Sequence, residues 1–116
     1  GPDPEEVAFA QTLTAALGPG TFSTQGRLSW PQLAGLLYSA ELFVGVDTAA
    51  MHLAAACQCP TVALFGSSVP TQWRPWRVRH RLVEGVWRAG EEPSEEAMGR
   101  ITPDDVLTAC REILVE

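Results

Sequence analysis

Leu42-Phe43-Val44-Gly45-Val46, Asp47-Thr48-Ala49-Ala50-Met51-His52-Leu53-Ala54-Ala55-Ala56 and Pro60-Thr61-Val62-Ala63-Leu64-Phe65 decide the fold. The order reads as strand, acidic turn, small-residue helix, proline, strand. Residues 42–46 are apolar at every position or glycine, the pattern of a central parallel strand buried on both faces. A helix between two such strands is the unit of an α/β fold with right-handed crossovers. In an open parallel sheet the turn after a strand lies at its carboxyl end, where ligands bind. The helix starts there with N–H groups lacking intrahelical partners and a partial positive charge, which suits a phosphate.

Working outward, Asp3-Pro4-Glu5-Glu6 predicts a helix start, with Asp3 as cap, Pro4 in the first turn and Glu6 completing a capping box. Val7, Leu13, Ala16 and Leu17 supply its apolar stripe, and Gly18-Pro19-Gly20 stops it. Thr21-Phe22-Ser23-Thr24 reads as a short strand. Ser29 with Gln32 makes a second capping box for a helix through residue 39, with Leu33, Leu36 and Leu37 facing inward. Helix 48–58 and strand 61–65 follow, then a long loop to about residue 79, a last strand 80–84 and an acidic stretch from 90 to 99. Thr102-Pro103-Asp104-Asp105 caps a terminal helix with Val106, Leu107, Cys110 and Ile113 apolar. Four strands are too few for a doubly wound domain, which also normally begins with a strand. The 116 residues therefore read as one partial domain, the carboxyl-terminal part of something larger.

Composition narrows the classes. The net charge of −6 argues against general affinity for nucleic acid or anionic membranes. All 8 basic side chains are arginine, which excludes a phosphate loop ending in Gly-Lys and a lysine Schiff base within these residues. No apolar run approaches the ~20 residues of a membrane helix, and no signal-peptide pattern opens the chain. Gly1-Pro2 has the look of a scar left by a tag-cleaving protease. Cys57, Cys59 and Cys110 do not make a disulfide framework, and Cys57-x-Cys59 with His52 lacks standard zinc spacing. Small buried thiols and a cytoplasmic setting are the expectation, with no metal and no cofactor.

At the Asp47 turn, Thr48 is the expected cap. Asp47 is either an ordinary cap itself or an acceptor for sugar hydroxyls, as acidic residues at such strand ends are for ribose. His52 lies one turn on, along the same helix face as Thr48. It is either a packed residue, the commoner role for a lone helical histidine, or a donor to a pyrophosphate oxygen. Ala49, Ala50, Ala54, Ala55 and Ala56 let the helix approach the sheet closely.

The block from Asp47 to Ala56, with Pro60 to Gly66 after it, resembles the hallmark of the heptosyltransferase-like glycosyltransferases, glycosyltransferase family 9. Gly26-Arg27-Leu28-Ser29 with Leu33, Pro70 with Trp73 and Pro75, and Ile101-Thr102-Pro103 extend the likeness over residues 5 to 114. The resemblance implies a Rossmann-like parallel sheet with flanking helices, part of the carboxyl-terminal, nucleotide-sugar-binding domain of a GT-B enzyme. The donor it implies is ADP-heptose, and the acceptor is lipopolysaccharide core or a related cell-envelope glycan held by an amino-terminal domain this chain lacks. By position, Asp47 would contact the donor sugar. Thr48, the Ala49 N–H and His52 would hold the pyrophosphate, and Arg27 and Leu28 would line the base pocket. Glu6 falls near the family's ribose-binding glutamate. No catalytic residue is expected in this fragment, which should be inactive alone and cytoplasmic or peripheral to the inner membrane. Two departures stand out: Ala49-Ala50 replaces the family's usual Gly-Pro, and the family's earlier phosphate loop is missing.

Trp73-Arg74-Pro75-Trp76-Arg77-Val78-Arg79-His80-Arg81 holds four of the eight arginines; it reads either as an irregular loop with packed tryptophans and solvated arginines, the commoner case, or as a surface for nucleic acid or the anionic core of a lipopolysaccharide acceptor. Glu91, Glu92, Glu95 and Glu96 read as a solvated run. Two other functions fit the same residues: a non-catalytic nucleotide-binding module, or an interaction domain using the 73–81 loop. A sheet edge left bare by missing strands would pair two copies into a homodimer.

Overall fold

A computed structural model describes residues 3–46, 48–66, 78–85 and 99–115. Four helices and three strands lie among them: α1 (Pro4–Leu17), α2 (Trp30–Ser39), β1 (Phe43–Val46), α3 (Ala49–Ala56), β2 (Thr61–Phe65), β3 (His80–Glu84) and α4 (Pro103–Leu114). The strands form one parallel sheet in the order β1-β2-β3, with Phe43 opposite Thr61 and Thr61 opposite His80. Side chains alternate across the pleat, so β2 offers Thr61, Ala63 and Phe65 to one face and Val62 and Leu64 to the other.

Two apolar clusters use those faces. Met51 of α3 packs with Ala63 and Phe65, backed by Phe43 and Leu82. On the opposite face Val62 and Val83 meet Ala109 and Ile113 of α4, with Leu42, Leu64, Ile101, Val106 and Cys110 alongside. Phe65, Met51, Ile113 and Val62 are fully buried, each contributing about 1.5–3 kcal/mol over the exposed state. The α/β, Rossmann-like fold class is as expected.

The strand buried on both faces is β2, not β1. Strand β1 begins one residue later than expected and is an outer strand of the sheet among the described residues, with Val44 43% and Val46 41% exposed. An unbroken apolar run reads alike for either position, because its burial is decided by its neighbours. Gly45 has a local reason: a Cβ there would stand 2.6 Å from the Phe43 ring, which lies over it on the same face.

The joint from α3 to β2 is tightly bonded. Gln58 takes a positive φ of 60°, its N–H donates to Ala55 O at 3.0 Å, and Cys59 N–H donates to Ala54 O at 2.9 Å. This is a Schellman ending with glutamine where glycine is usual. Cys57 and Cys59 are buried as expected; burial first and then the neighbouring Cys57 push the Cys59 thiol above its ordinary range.

The chain divides into two compact units, Gly1–Leu33 and Ala34–Glu116. The first departs most from expectation. Thr21-Phe22-Ser23-Thr24 joins no strand ladder, and Phe22 is 89% exposed. Helix α1 has no buried residue, and the expected stripe residues Leu13 and Leu17 are exposed. Asp3 caps α1 through Glu5 N–H at 2.8 Å, and Glu6 instead lines a recess. The Ser29–Gln32 box is present in both directions, at 2.9 and 3.3 Å. In α2 only Leu37 is buried, Leu36 being exposed. In α4 the inward residue is Ala109 rather than Leu107.

Candidate functional site

Strand β1 runs out at Val46, and α3 begins at Ala49 with Thr48 as its cap. Asp47, between them, lies outside the described residues, as do 73–77 of the Trp/Arg loop and the glutamates at 91–96. Thr48 has the extended backbone of a cap, φ −142° and ψ 172°, and its carbonyl accepts from Met51 and His52 N–H. Its side chain makes no capping hydrogen bond. Asp3, Ser29 and Thr102, at the starts of the other three helices, all use theirs. Thr48, Ala49 and His52 are exposed, while Met51 and Ala54 on the other side of α3 are fully buried. Thr48 and His52 are thus turned away from the sheet at the carboxyl end of a parallel strand, and the N–H groups of Ala49 and Ala50 come before the first intrahelical bond.

A second feature lies wholly within the amino-terminal unit. Glu6, Val7 and Ala10 on α1 and residues 23–26 line an open recess of about 260 Å³. Its floor is a tight turn in which Gln25 and Gly26 have positive φ of 57° and 68°, and Arg27 N–H donates to Thr24 O at 3.1 Å. Two left-handed central residues mark a type I′ turn. Ser23 Oγ accepts from Gln25 N–H at 3.1 Å and braces it. Arg27 and Leu28 leave this turn with exposed side chains. The expected residues therefore fall into two groups, Arg27 and Leu28 in one unit and Thr48, Ala49 and His52 in the other.

The turn at Gln25-Gly26 was hidden because residues 21–24 resemble a strand in composition. Its signal was Gly26 after a polar residue, a turn dipeptide. Among the described residues no group of three or more His, Cys, Asp or Glu is arranged to hold a metal.

Comparison with known proteins bears on this geometry. The model of "Glycosyltransferase family 9 (heptosyltransferase)" matches residues 1–99, a span that takes in Gly1-Pro2 and both groups. The chain belongs to glycosyltransferase family 9. A lipopolysaccharide heptosyltransferase 3 from Escherichia coli is 36% identical over 77 residues, covering 66% of this chain and 23% of that protein. Another, from Escherichia coli strain K12, is 32% identical over 100 residues, covering 78% and 28%. The chain spans about a quarter of the length of these curated relatives. A crystal structure of a family 9 glycosyl transferase from Veillonella parvula DSM 2008 superposes with a TM-score of 0.81 at 19% identity, covering 97% of this chain and 34% of that one. That likeness establishes the fold, a parallel α/β sheet of the GT-B type.

Proposed function

We propose that this chain is the donor-binding part of a glycosyltransferase that moves a heptose from ADP-heptose to lipopolysaccharide core or a related cell-envelope glycan. The observation that carries the reading is the start of α3. Thr48, Ala49 and His52 are exposed at the carboxyl end of β1, the Ala49 and Ala50 N–H groups come before the first intrahelical bond, and the Thr48 side chain makes no capping hydrogen bond. Such a helix end offers fixed dipoles to a diphosphate. In the transfer, an acceptor hydroxyl would displace the nucleoside diphosphate with inversion at the sugar carbon. Charge grows on the departing diphosphate, so preorganised donors at the helix end lower that barrier. Asp47 would hold sugar hydroxyls. On the family's pattern Glu6 would accept from ribose hydroxyls, and Arg27 and Leu28 would line the base pocket.

The acceptor site and the catalytic base would belong to the rest of the full-length protein, so this chain should bind without turning over. No helix among the described residues is long and apolar enough to cross a membrane; a place at the cytoplasmic face, where a glycolipid acceptor is reached, is part of the same proposal. Titration with ADP followed by amide NMR tests the site. Shifts should cluster at residues 47–52, with a smaller effect from AMP, and His52→Ala should weaken ADP by about 1–2 kcal/mol, as for a partly buried charge-assisted bond. Shifts confined to 73–81, or none at millimolar ADP, would leave the Thr48 turn as scaffold. Heptose transfer by the full-length protein separates an enzyme from a binding module of the same fold.

A further inference from the structure

Two of the three cysteines flank the left-handed residue of the joint between α3 and β2. Cys57 and Cys59 are 6% and 2% exposed, both free, and separated only by Gln58 with its φ of 60°. A non-glycine residue in that region is strained and calls for a reason. An extended residue there would hold its neighbours' Cα atoms about 6.6 Å apart, two strand rises. A left-handed residue has the dimensions of an α-helical turn in mirror image, which brings them to about 5.4 Å. Disulfides span Cα separations of about 4.4–6.8 Å and cluster near 5.5–6 Å. Gln58 thus holds its two neighbours at the separation a disulfide takes. Burial first, and then Cys57, raise the Cys59 thiol above its ordinary range, so the two sulfurs lie within electrostatic reach of each other. Cys110 belongs elsewhere, to the cluster of α4 around Val62.

We propose that Cys57 and Cys59 are a redox pair that closes a reversible disulfide across Gln58, with a low-molecular-weight disulfide as oxidant. Cys57, the more exposed of the two, attacks one sulfur of that disulfide as thiolate and releases the first small thiol. The Cys59 sulfur then attacks the Cys57 sulfur of the mixed disulfide and releases the second. Each attacking cysteine gives up one proton and each departing thiolate takes one. Two protein thiols and one small disulfide become one protein disulfide and two small thiols. In the reduced chain the Cys59 thiol donates to Ala40 O at 3.7 Å and to Pro60 O at 3.6 Å. Closure removes that S–H, so the tie from the joint to the turn between α2 and β1 is lost. The redox state of the pair is thereby felt at Ala40, beyond the joint itself.

Equilibration of the chain with a glutathione redox buffer, followed by acid quench, alkylation and peptide mapping, tests the pair. Residues 28–77 form one tryptic peptide, since Arg74 precedes a proline, and it holds Cys57 and Cys59 but not Cys110. In oxidising buffer this peptide should carry no alkyl group and lack two hydrogens, and a dithiol reductant should reverse both changes. The effective concentration of the pair should be roughly 10-fold or more higher in the folded chain than in concentrated urea, where Gln58 is not held left-handed. Gln58→Gly, which keeps the left-handed turn, should close alike, whereas Gln58→Ile should need a more oxidising buffer. Cys110→Ser should change nothing. Amide shifts at Ala40 and Glu41 should follow the closed fraction. Equal closure in urea, glutathione adducts that never resolve, a bridge to the peptide holding Cys110, or a bridge between two chains would each overturn the proposal.

Discussion

Helices α1 and α4 open on closely related words, Asp3-Pro4-Glu5-Glu6 and Thr102-Pro103-Asp104-Asp105, yet one buries a stripe of side chains and the other buries none. Both caps are made, and in α4 the Thr102 N–H also donates back to the Asp105 carboxylate at 3.1 Å. The difference lies further along. In α4, Val106, Ala109, Cys110 and Ile113 follow the helical repeat and land on β2 and β3. In α1 the half-buried positions include Val7, Ala10 and Thr14, while Phe9, Leu13 and Leu17 form an exposed line spaced by four residues. Capping residues specify that a helix starts; only a matching apolar surface decides what it is for. The large apolar side chains of α1 lie on one face and its recess-lining residues on another.

The sharpest way to break this contrast is to shorten one large side chain in each helix. Ile113→Ala should cost about 2–5 kcal/mol in urea unfolding, since a fully buried side chain leaves a cavity. Leu17→Ala should stay within about 0.5 kcal/mol. A comparable loss from Leu17→Ala would mean that α1 is packed after all.

Next in size is Gly45→Ala in the strand that leads to the Thr48 turn. Its new methyl would meet the Phe43 ring, which packs in the Met51 cluster. A loss of about 1–3 kcal/mol is expected from the forced shift. Phe43→Leu in the same background should restore part of it, and its failure to do so would assign the cost to the backbone.

Thr102→Ala and Asp3→Ala compare the caps directly. The first should lower global stability by about 1 kcal/mol, because α4 is tied to the core. The second should fray α1 locally, seen as lost helical ellipticity with no change in the unfolding midpoint of the sheet. The smallest expected effect is at Cys59. Its thiol pKa is raised on folding, so the folded state holds its proton longer than the unfolded state. Stability should therefore fall as pH rises above the ordinary thiol range, and Cys59→Ala should flatten that alkaline decline.

Much of this was legible from residue order. Thr61-Val62-Ala63-Leu64-Phe65 is a short apolar run after a proline, and β-branched residues at its start favour a strand. Thr102 with Asp105 marks α4 by cap chemistry, and the Asp47–Ala56 block points to the family whose model matches the chain. What could not be read was context. Val44 and Val62 are the same residue type in similar runs, yet one is exposed and the other fully buried. Thr21-Phe22-Ser23-Thr24 has strand composition, but a strand needs a ladder partner, and local sequence does not say whether one is near. At the candidate site the exposed turn at Thr48 followed from the strand-helix order. The recess beside Glu6 did not, since it depends on two left-handed residues, one of them glutamine.

The Schellman joint at Gln58 has one more consequence. Helix α3 is held at its far end by two backbone bonds and passes to β2 through only Cys57, Gln58, Cys59 and Pro60. Each residue of an α-helix turns the next by about 100°. One residue inserted in α3 between His52 and Ala54 would swing His52 by that angle relative to Ala54 and Ala55, toward the sheet. The joint therefore acts as an angular stop that sets the bearing of His52 and Thr48. Length changes tolerated by natural variants of this chain should fall outside residues 48–60, and a functional variant carrying an insertion there should show a compensating deletion within the same helix.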